Sequence, residues 1–376
     1  MNARVTILMS DTGGGHRAVA TAVRSELWNL QRGLRVELVD GLLRYAPYPL
    51  NRLPDWYAPI IAHGKGLWRH GYALSDGRHW ARALNHAARP YVRAGVRRLL
   101  HAHPAEVLVS THPLLVGPVL DGLGARRPAF VTVVSDLASA HAWWFDRRAA
   151  RTLVPTRAAR GRALACGLAP ERVRVCGLPV AAVFRGGPRD RAAARRKLGW
   201  EAEQFTALLL GGAEGMAPLE QIARALRASA LSVQLAVVCG RNARLRTELA
   251  AMRWPSPVHV YGFVENMAEL MRAADVVVTK AGPSTVMEAL NCGRPLLLSG
   301  AIPGQEEGNV HVVLEGGAGW WTPCPEQVLE RLRGLRQAGR PELEAAAAAA
   351  QKLAAPGAAR AVAAEIVALL PEPVIA

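Results

Sequence analysis

Acidic residues are scarce in one half of this 376-residue chain: positions 1–180 carry 25 Lys/Arg against 11 Asp/Glu, whereas 181–376 carry 21 against 19. The excess positive charge is therefore regional, as in a nucleic-acid or anionic-surface binder, although many of these arginines can serve solubility alone. No helix-turn-helix, zinc-knuckle or aromatic RNP pattern accompanies it, which argues against nucleic acid. The five cysteines, Cys166, Cys176, Cys239, Cys292 and Cys324, form no CxxC pair and have no His partners at metal-ligand spacing. That excludes a zinc ribbon or a disulfide framework and predicts a reducing, cytosolic setting. Uninterrupted apolar runs are only strand-sized; even 107–120 is broken by Ser110, Thr111 and His112, so no spanning helix is expected. The N-terminus runs directly into a strand pattern without a signal-peptide signature. Internal repeats are absent, and the only low-complexity tract is the alanine run at 345–350. With 51% hydrophobic residues the chain can fill two ordinary cores.

What is present is an alternation of short β-branched runs with longer Ala/Leu/Arg helical stretches. Strands are expected at 5–9, 35–39, 107–110, 129–134, 151–154 and 172–176, then in a second series at 206–210, 232–238, 259–261, 275–279 and 295–298. Such βα alternation implies mainly parallel sheets covered on both faces, an α/β class with two doubly wound units. The segment 177–190, with Pro179, Pro188 and Gly186-Gly187, reads as the linker, giving domains at 1–180 and 181–355. The tail at 342–370 is helical, interrupted at Pro356-Gly357.

Ligands in such folds gather where strands end, and the glycine loops sit there. Ser10-Asp11-Thr12-Gly13-Gly14-Gly15-His16-Arg17 reads as strand, turn and helix, with the helix expected over 18–30. The glycines admit positive φ and close approach, free N–H groups favour an anion, and His16 has a pKa suited to taking a proton near neutrality. From these residues alone an ordinary βα turn with a surface histidine reads equally well. In the second unit, Gly211-Gly212-Ala213-Glu214-Gly215 ends a strand and offers amides to a diphosphate. Lys280-Ala281-Gly282-Pro283-Ser284-Thr285 follows as a strand end and turn, with Ser284/Thr285 as N-cap and Glu288 on the first helical turn, suited to phosphate oxygens and a ribose diol. A capped helix with a dipole-compensating carboxylate explains the same residues. The loop 302–309 carries Gln305, Glu306 and Asn309, side chains able to bond several sugar hydroxyls or simply water. Between 45 and 80, Arg52, Lys65, Arg69 and Arg78 interleave with Trp56, Tyr57, Ile60, Ile61, Leu67, Trp68 and Trp80. This mixture suits an anionic membrane surface, although a basic face over a Trp-rich core would look similar.

The ordered set SDTGGGHR, VVSDLASAHAWWF, YGFVENM, TKAGPSTVMEAL and PGQEEGNV resembles the monogalactosyldiacylglycerol synthase and processive diacylglycerol glucosyltransferase family. More distantly it is similar to the N-acetylglucosaminyltransferase that forms lipid II. The resemblance spans residues 5 to about 319. It implies a GT-B fold, two Rossmann-like domains facing each other across a cleft. The N-terminal domain would take the acceptor and the membrane, the C-terminal domain the UDP-sugar, and a last helix within 356–376 would cross back to the first domain. The implied reaction is inverting and metal-independent, needs no cofactor, and moves galactose or glucose from a UDP-sugar to diacylglycerol at the cytoplasmic membrane face, with anionic lipids as further partners.

Residue by residue, the resemblance makes His16 the general base, with Gly14 and Gly15 bringing backbone near phosphates, sugar and acceptor. Asp136 and His141 match an Asp-Leu-x-x-x-His element, and Trp144 an aromatic beside the acceptor or an anionic lipid. Phe263 and Val264 would line the uracil. Gly212, Lys280, Gly282, Ser284 and Thr285 would hold the diphosphate, Glu288 the ribose, and Gln305, Glu306 and Asn309 the sugar. Two departures stand out: Ala142-Trp143 where plant relatives have Pro-Thr, and Ser284 in place of a second glycine. Alternatives at this point are a same-fold UDP-sugar enzyme, either a transferase to a polyprenyl-linked sugar or an epimerase, and a non-catalytic basic module.

Overall fold

The computed structural model describes residues 3–12, 14–124, 128–186, 190–212, 218–229, 231–337 and 340–371. Gly13, residues 213–215 and residues 187–188, singled out above, lie outside the described residues, as does the side chain of Lys65. The chain divides into two compact units. One comprises Met1–Ala181, Pro303–Gln305 and Gly357–Ala376; the other Ala182–Ile302 and Glu306–Pro356.

In the first unit, β1 (Arg4–Met9), β2 (Arg35–Asp40), β3 (Val107–Ser110), β4 (Ala129–Val133), β5 (Arg151–Val154) and β6 (Val173–Val175) form one parallel sheet. Its order is β2-β1-β3-β4-β5-β6. Register follows the apolar pattern: Val5 lies opposite both Val36 and Val107, and Leu8 opposite Val39 and Ser110. Every residue of β3 is buried, as strands covered on two faces require.

The helix Gly15–Leu30 begins three residues earlier than expected, because Gly14 occupies the N-cap in the left-handed region at φ 80°. His16 is thereby the second residue of a helix rather than part of a turn. The last helix, Ala358–Val367, packs against Gly15–Leu30 within this unit, aided by Arg151 and Glu365 at 3.5 Å. Around Trp144, Phe130, Leu120 and Leu99 the core closes almost completely.

The second unit repeats the plan with β7 (Thr206–Leu210), β8 (Gln234–Val238), β9 (Val258–Tyr261), β10 (Val276–Lys280), β11 (Leu296–Gly300) and β12 (Gly319–Trp321). These are parallel in the order β12-β11-β10-β7-β8-β9, with Val277 between Leu208 and Leu296. β12 is absent from the sequence reading: three residues, one of them glycine and one an exposed Trp321, carry no periodic signal. β8 starts two residues later than expected, since Val233 is held in a turn by the Leu231 carbonyl.

Helix Arg78–Ala102 is anchored at Gly95, where the backbone of Tyr45 comes so close that an added Cβ would sit 1.9 Å from its carbonyl oxygen. Gly95→Ala must therefore shift a helix against the Gly41–Tyr45 segment. We expect it to destabilise the fold by about 1–3 kcal/mol, the range for overpacking, measured as a lower urea midpoint at unchanged slope.

Candidate active site

In the first unit, the carboxyl ends of β1, β3 and β4 are neighbours in the sheet, and each is followed by polar residues. His16 lies on the first helical turn after β1. Its Nδ1 is 2.7 Å from the Thr111 carbonyl oxygen, which can only accept, so Nδ1 carries the proton and donates it. Ser135 Oγ lies 3.2 Å from the same nitrogen. The free lone pair of the neutral ring is thus on Nε2. Behind it stands His112, ring centroids 4.5 Å apart. Leu114 N–H donates to His112 Nδ1, so His112 carries its proton on Nε2 and donates it to Thr12 Oγ1 at 2.9 Å.

Burial pulls the half-buried His16 down to about 4, against smaller opposing contributions from the Thr111 hydrogen bond and Asp11. Burial likewise holds His112 well below the usual range, with His16 adding to the effect. Both rings are neutral at physiological pH. Asp11, which would otherwise favour the charged ring more, is held by a bidentate pairing with Arg17 at 2.6–2.9 Å.

The other acceptor-side residues divide into two groups. Trp144 is completely enclosed, its ring 5.9 Å from that of His16, and its Nε1–H donates to Asp136 Oδ2 at 2.7 Å. It backs the histidine and presents no surface to a ligand, and Asp136 serves it as acceptor. His141 forms a separate cluster: Nδ1 accepts from Trp143 N–H, so Nε2 donates to Ser75 Oγ at 3.2 Å. Its ring packs on Tyr72 and Trp143 at 4.8 and 4.5 Å. Burial lowers its pKa despite nearby Asp76. Gln305 is tied within this unit through Tyr57 OH, which donates to its Oε1 at 3.1 Å, and Ser139 Oγ, which donates to its backbone oxygen.

Thr12, Thr111, His112 and Ser135 were not read as site residues from the sequence. Their signal was available: each follows directly on a strand end of a parallel sheet, where ligand-facing side chains collect.

In the second unit, the loops after β7, β10 and β11 come together. Gly212 adopts φ 71°, and a Cβ built there would lie 3.9 Å from Lys280 Cε. A Cβ on Gly282 would meet Lys280 Nζ at 3.0 Å and Glu306 Oε1 at 3.7 Å. Lys280 forms an ion pair with the buried Glu306, whose other oxygen accepts Ile302 N–H at 3.0 Å. Asn309, fully buried, donates to the Ala281 carbonyl at 2.9 Å and so fixes the loop backbone.

Two expectations need correction here. Gly282, not Ser284 or Thr285, is the N-cap, because Pro283 occupies the first helical position, where its missing N–H costs nothing. Ser284 and Thr285 are instead the second and third residues of Pro283–Asn291, and Glu288 the sixth, one turn later than expected. Beyond β9, Phe263 is 63% exposed, with the Arg241 guanidinium carbon 5.7 Å from its ring centre, and Val264 beside it is half-buried.

Burial drives the Glu288 carboxyl up to about 8, and no described residue hydrogen-bonds or ion-pairs with it. Between the ordinary carboxylate pKa and 8 the folded state holds a proton that the unfolded state has lost. Stability should therefore fall as pH rises through that window. Glu288→Gln removes the penalty: the variant should gain stability relative to the wild type from pH 5 to pH 8 and match it below pH 4, read by denaturant unfolding at each pH. A difference that stays constant across the range would contradict a buried, unpartnered carboxyl.

Among the described residues, no group of three His, Cys, Asp or Glu side chains is arranged to hold a metal ion, and no helix is long and apolar enough to cross a membrane.

Comparison with known proteins places the chain among its relatives. Residues 16–180 match the family model for monogalactosyldiacylglycerol (MGDG) synthase, and 206–332 that for the glycosyltransferase family 28 C-terminal domain. Monogalactosyldiacylglycerol synthase 1, chloroplastic, of Arabidopsis thaliana is 35% identical over 94% of this chain and 68% of its own length. A probable monogalactosyldiacylglycerol synthase of Nicotiana tabacum is 37% identical over 86% and 63%, so the chain spans about two thirds of these relatives. Among solved structures, Acinetobacter baumannii MurG superposes with a TM-score of 0.63 at 17% identity, covering 97% of this chain and 99% of that one. Anabaena Alr3699/HepE in complex with UDP-glucose gives 0.55 at 16%, over 98% and 100%. The fold is thus GT-B, and by its identity to the plant enzymes the chain belongs to the monogalactosyldiacylglycerol synthase family.

Proposed function

We propose that this chain transfers galactose from UDP-galactose to the free hydroxyl of diacylglycerol, with inversion, to give β-galactosyl diacylglycerol. The observation that carries the reading is the fixed tautomer of His16, with Nδ1–H bound to Thr111 and Nε2 left to accept a proton. In the step itself, the diacylglycerol oxygen bonds to the anomeric carbon as the bond from that carbon to the UDP oxygen breaks. The acceptor proton passes to His16 Nε2, and UDP leaves with the bonding electrons. Charge growing on the diphosphate meets the backbone at Gly212, the start of the helix capped by Gly282, the Ser284 and Thr285 hydroxyls on its first turn, and Lys280. Glu288, with no partner for its carboxyl among the described residues, suits the ribose diol, and Phe263 with Val264 suits uracil. Glu306 and Gln305 suit the sugar hydroxyls, with Asn309 holding their loop.

Galactose over glucose rests on the names of the relatives, which are galactolipid synthases. Mass spectrometry of lipid made from each UDP-hexose with diacylglycerol tests it. Galactolipid alone is expected, and glucolipid alone would reassign the donor. Lipid-soluble label from UDP-sugar also separates a transferase from an epimerase.

His16→Ala should lower turnover by roughly 100- to 10,000-fold, the usual worth of a positioned base, with UDP affinity nearly intact. The acid limb of kcat/KM should fall at about pH 4 instead of 6.5, because burial disfavours the charged ring. A limb at or above 6.5 would rule out His16 in this environment as the titrating base.

A peripheral position on an anionic membrane completes the reading. Helices Leu53–His63, Lys65–Ser75 and Arg78–Ala102 leave Leu67 81%, Leu74 75% and Trp80 64% exposed beside Arg69 and Arg78. Exposed apolar side chains of this size next to cations suit an interface where both are satisfied. Paired Arg69→Glu and Arg78→Glu substitutions should weaken binding to phosphatidylglycerol-containing vesicles and reduce its salt dependence. Binding indifferent to both salt and charge would count against electrostatic docking.

A further inference from the structure

At the opposite end of the second sheet from the donor loops lies a cavity of about 450 Å³. It is bounded by residues preceding the strands: Phe205 before β7, Asp275 before β10 and Arg294 before β11. A five-residue strand such as β10, about 16 Å long, separates it from Lys280. Its inner wall gathers three arginines, Arg191, Arg195 and Arg294, around a single carboxylate, Asp275.

That carboxylate is already committed. Asp275 pairs with Arg191 and Arg195 and accepts Thr206 N–H at 2.7 Å. Arg195 is equally spent: besides Asp275 it donates to the carbonyls of Ala273, Ala202 and Gln204. These contacts tie the helix Arg191–Lys197 to the sheet and account for Arg195 as a structural residue.

Arg294 is different. It is only 5% exposed, donates to two carbonyl oxygens, those of Cys292 and Ala274, and pairs with no carboxylate among the described residues. Arginine is almost never buried without a counter-charge. Burial and the neighbouring Arg191 pull its pKa down to about 10, outweighing the opposing attraction of Asp275, which lies beyond ion-pair distance. Arg191 uses one terminal nitrogen on Asp275 and retains the rest of its fork. The side chains of Glu203 and Glu344 belong to the exposed rim and leave the inner wall short of negative charge. Phe205, Leu335 and Leu343 supply an apolar side, and the volume exceeds what an inorganic oxyanion would fill.

We propose that this cavity binds a phosphate monoester, its dianion held by the forks of Arg191 and Arg294 and its organic body against Phe205, Leu335 and Leu343. Planar guanidinium groups bind phosphate oxygens in pairs, so the buried Arg294 and the part-exposed Arg191, both with uncommitted N–H groups, match a dianion better than a carboxylate. The site would be separate from the diphosphate loops, and its occupant would supply the direct ion-pair partner that no described carboxylate gives Arg294.

The test is titration calorimetry on the full chain with saturating UDP present, which occupies the donor loops, using phenyl phosphate, inorganic phosphate and neutral phenol. Phenyl phosphate should bind, inorganic phosphate should bind at least tenfold more weakly, and phenol should not bind. Arg191→Gln should weaken phenyl phosphate at least tenfold, and Ala347→Glu, which removes no arginine and adds a repelling charge to the wall, should abolish binding. UDP affinity reports folding of both variants. Should Arg191→Gln lose UDP affinity, Ala347→Glu decides the matter, and should both lose it, the wild-type titration decides. No binding of phenyl phosphate in the presence of UDP, binding competed by UDP, or binding unaffected by either substitution in a UDP-competent variant would overturn the proposal. Displacement by dihexanoyl phosphatidic acid but not by glycerol phosphate identifies a lipid headgroup as the source of the ester. The reverse identifies a soluble ester, and either upholds the site.

Discussion

The hydrogen bond from His16 Nδ1 to the Thr111 carbonyl is the constraint on which the proposed chemistry depends. A neutral imidazole offers one donor and one acceptor, and which nitrogen does which is decided by whatever the ring is tied to. Here the tie is a backbone oxygen at the end of β3, a group that cannot change its protonation or swing away. Helix Gly15–Leu30 fixes the other side of the ring, and Gly14 makes that helix start early enough to include it. Desolvation then keeps the ring neutral. The arrangement trades base strength for readiness: a histidine with a pKa near 4 is a weak base but is never found protonated at neutral pH. Such a base suits a reaction in which the acceptor proton becomes acidic only as bonding to the anomeric carbon develops.

Glu288 faces the same solvation problem and resolves it the opposite way. Both groups are desolvated, and burial favours the neutral form of each, which lowers the histidine and raises the carboxyl. The difference lies in partners. His16 has a backbone acceptor and a histidine neighbour, whereas the Glu288 carboxyl has neither kind of partner among the described residues. Lys280 and Glu306, by contrast, satisfy each other, and a diphosphate would have to compete with an existing ion pair for the lysine.

Much of this was legible in the sequence, for identifiable reasons. Strands such as Val107–Ser110, Arg151–Val154 and Thr206–Leu210 appear where apolar β-branched and leucine runs predict them, since buried parallel strands admit little else. The break at Pro356-Gly357 separates two helices as read. What failed was arbitration between local rules: Ser284 and Thr285 obey the preference for hydroxyl caps, but Pro283 obeys the stronger preference for the first helical position, and only one can win. Thr111 and His112 were seen merely as interruptions of an apolar run. Their meaning depends on β3 lying beside β1, a non-local pairing that composition does not encode. Trp144 failed in another way: nothing in a Trp-Trp pair tells which ring will be enclosed and which will remain at the surface.

The division of charge has a physical reading once the pairs are assigned. In the second half, where cations and anions nearly balance, arginines are spent on partners: Arg195 on Asp275, Arg224 on Glu220 and Glu248, Arg331 on Glu342. In the first half, helix Arg78–Ala102 contains no acidic residue, and its Arg82, Arg89, Arg93, Arg97 and Arg98 pair with no carboxylate among the described residues. Like charges at successive turns destabilise a helix by a few tenths of a kcal/mol per pair. The same helix also leaves Trp80, Leu84 and Tyr91 exposed on another side. Neither feature helps the isolated fold: the first opposes it and the second exposes apolar area to water. An anionic, partly apolar surface removes both penalties at once, since headgroups screen the arginines and the acyl boundary accepts the rings. The charge asymmetry and the exposed aromatics are thus two features that the membrane docking proposed above would satisfy together.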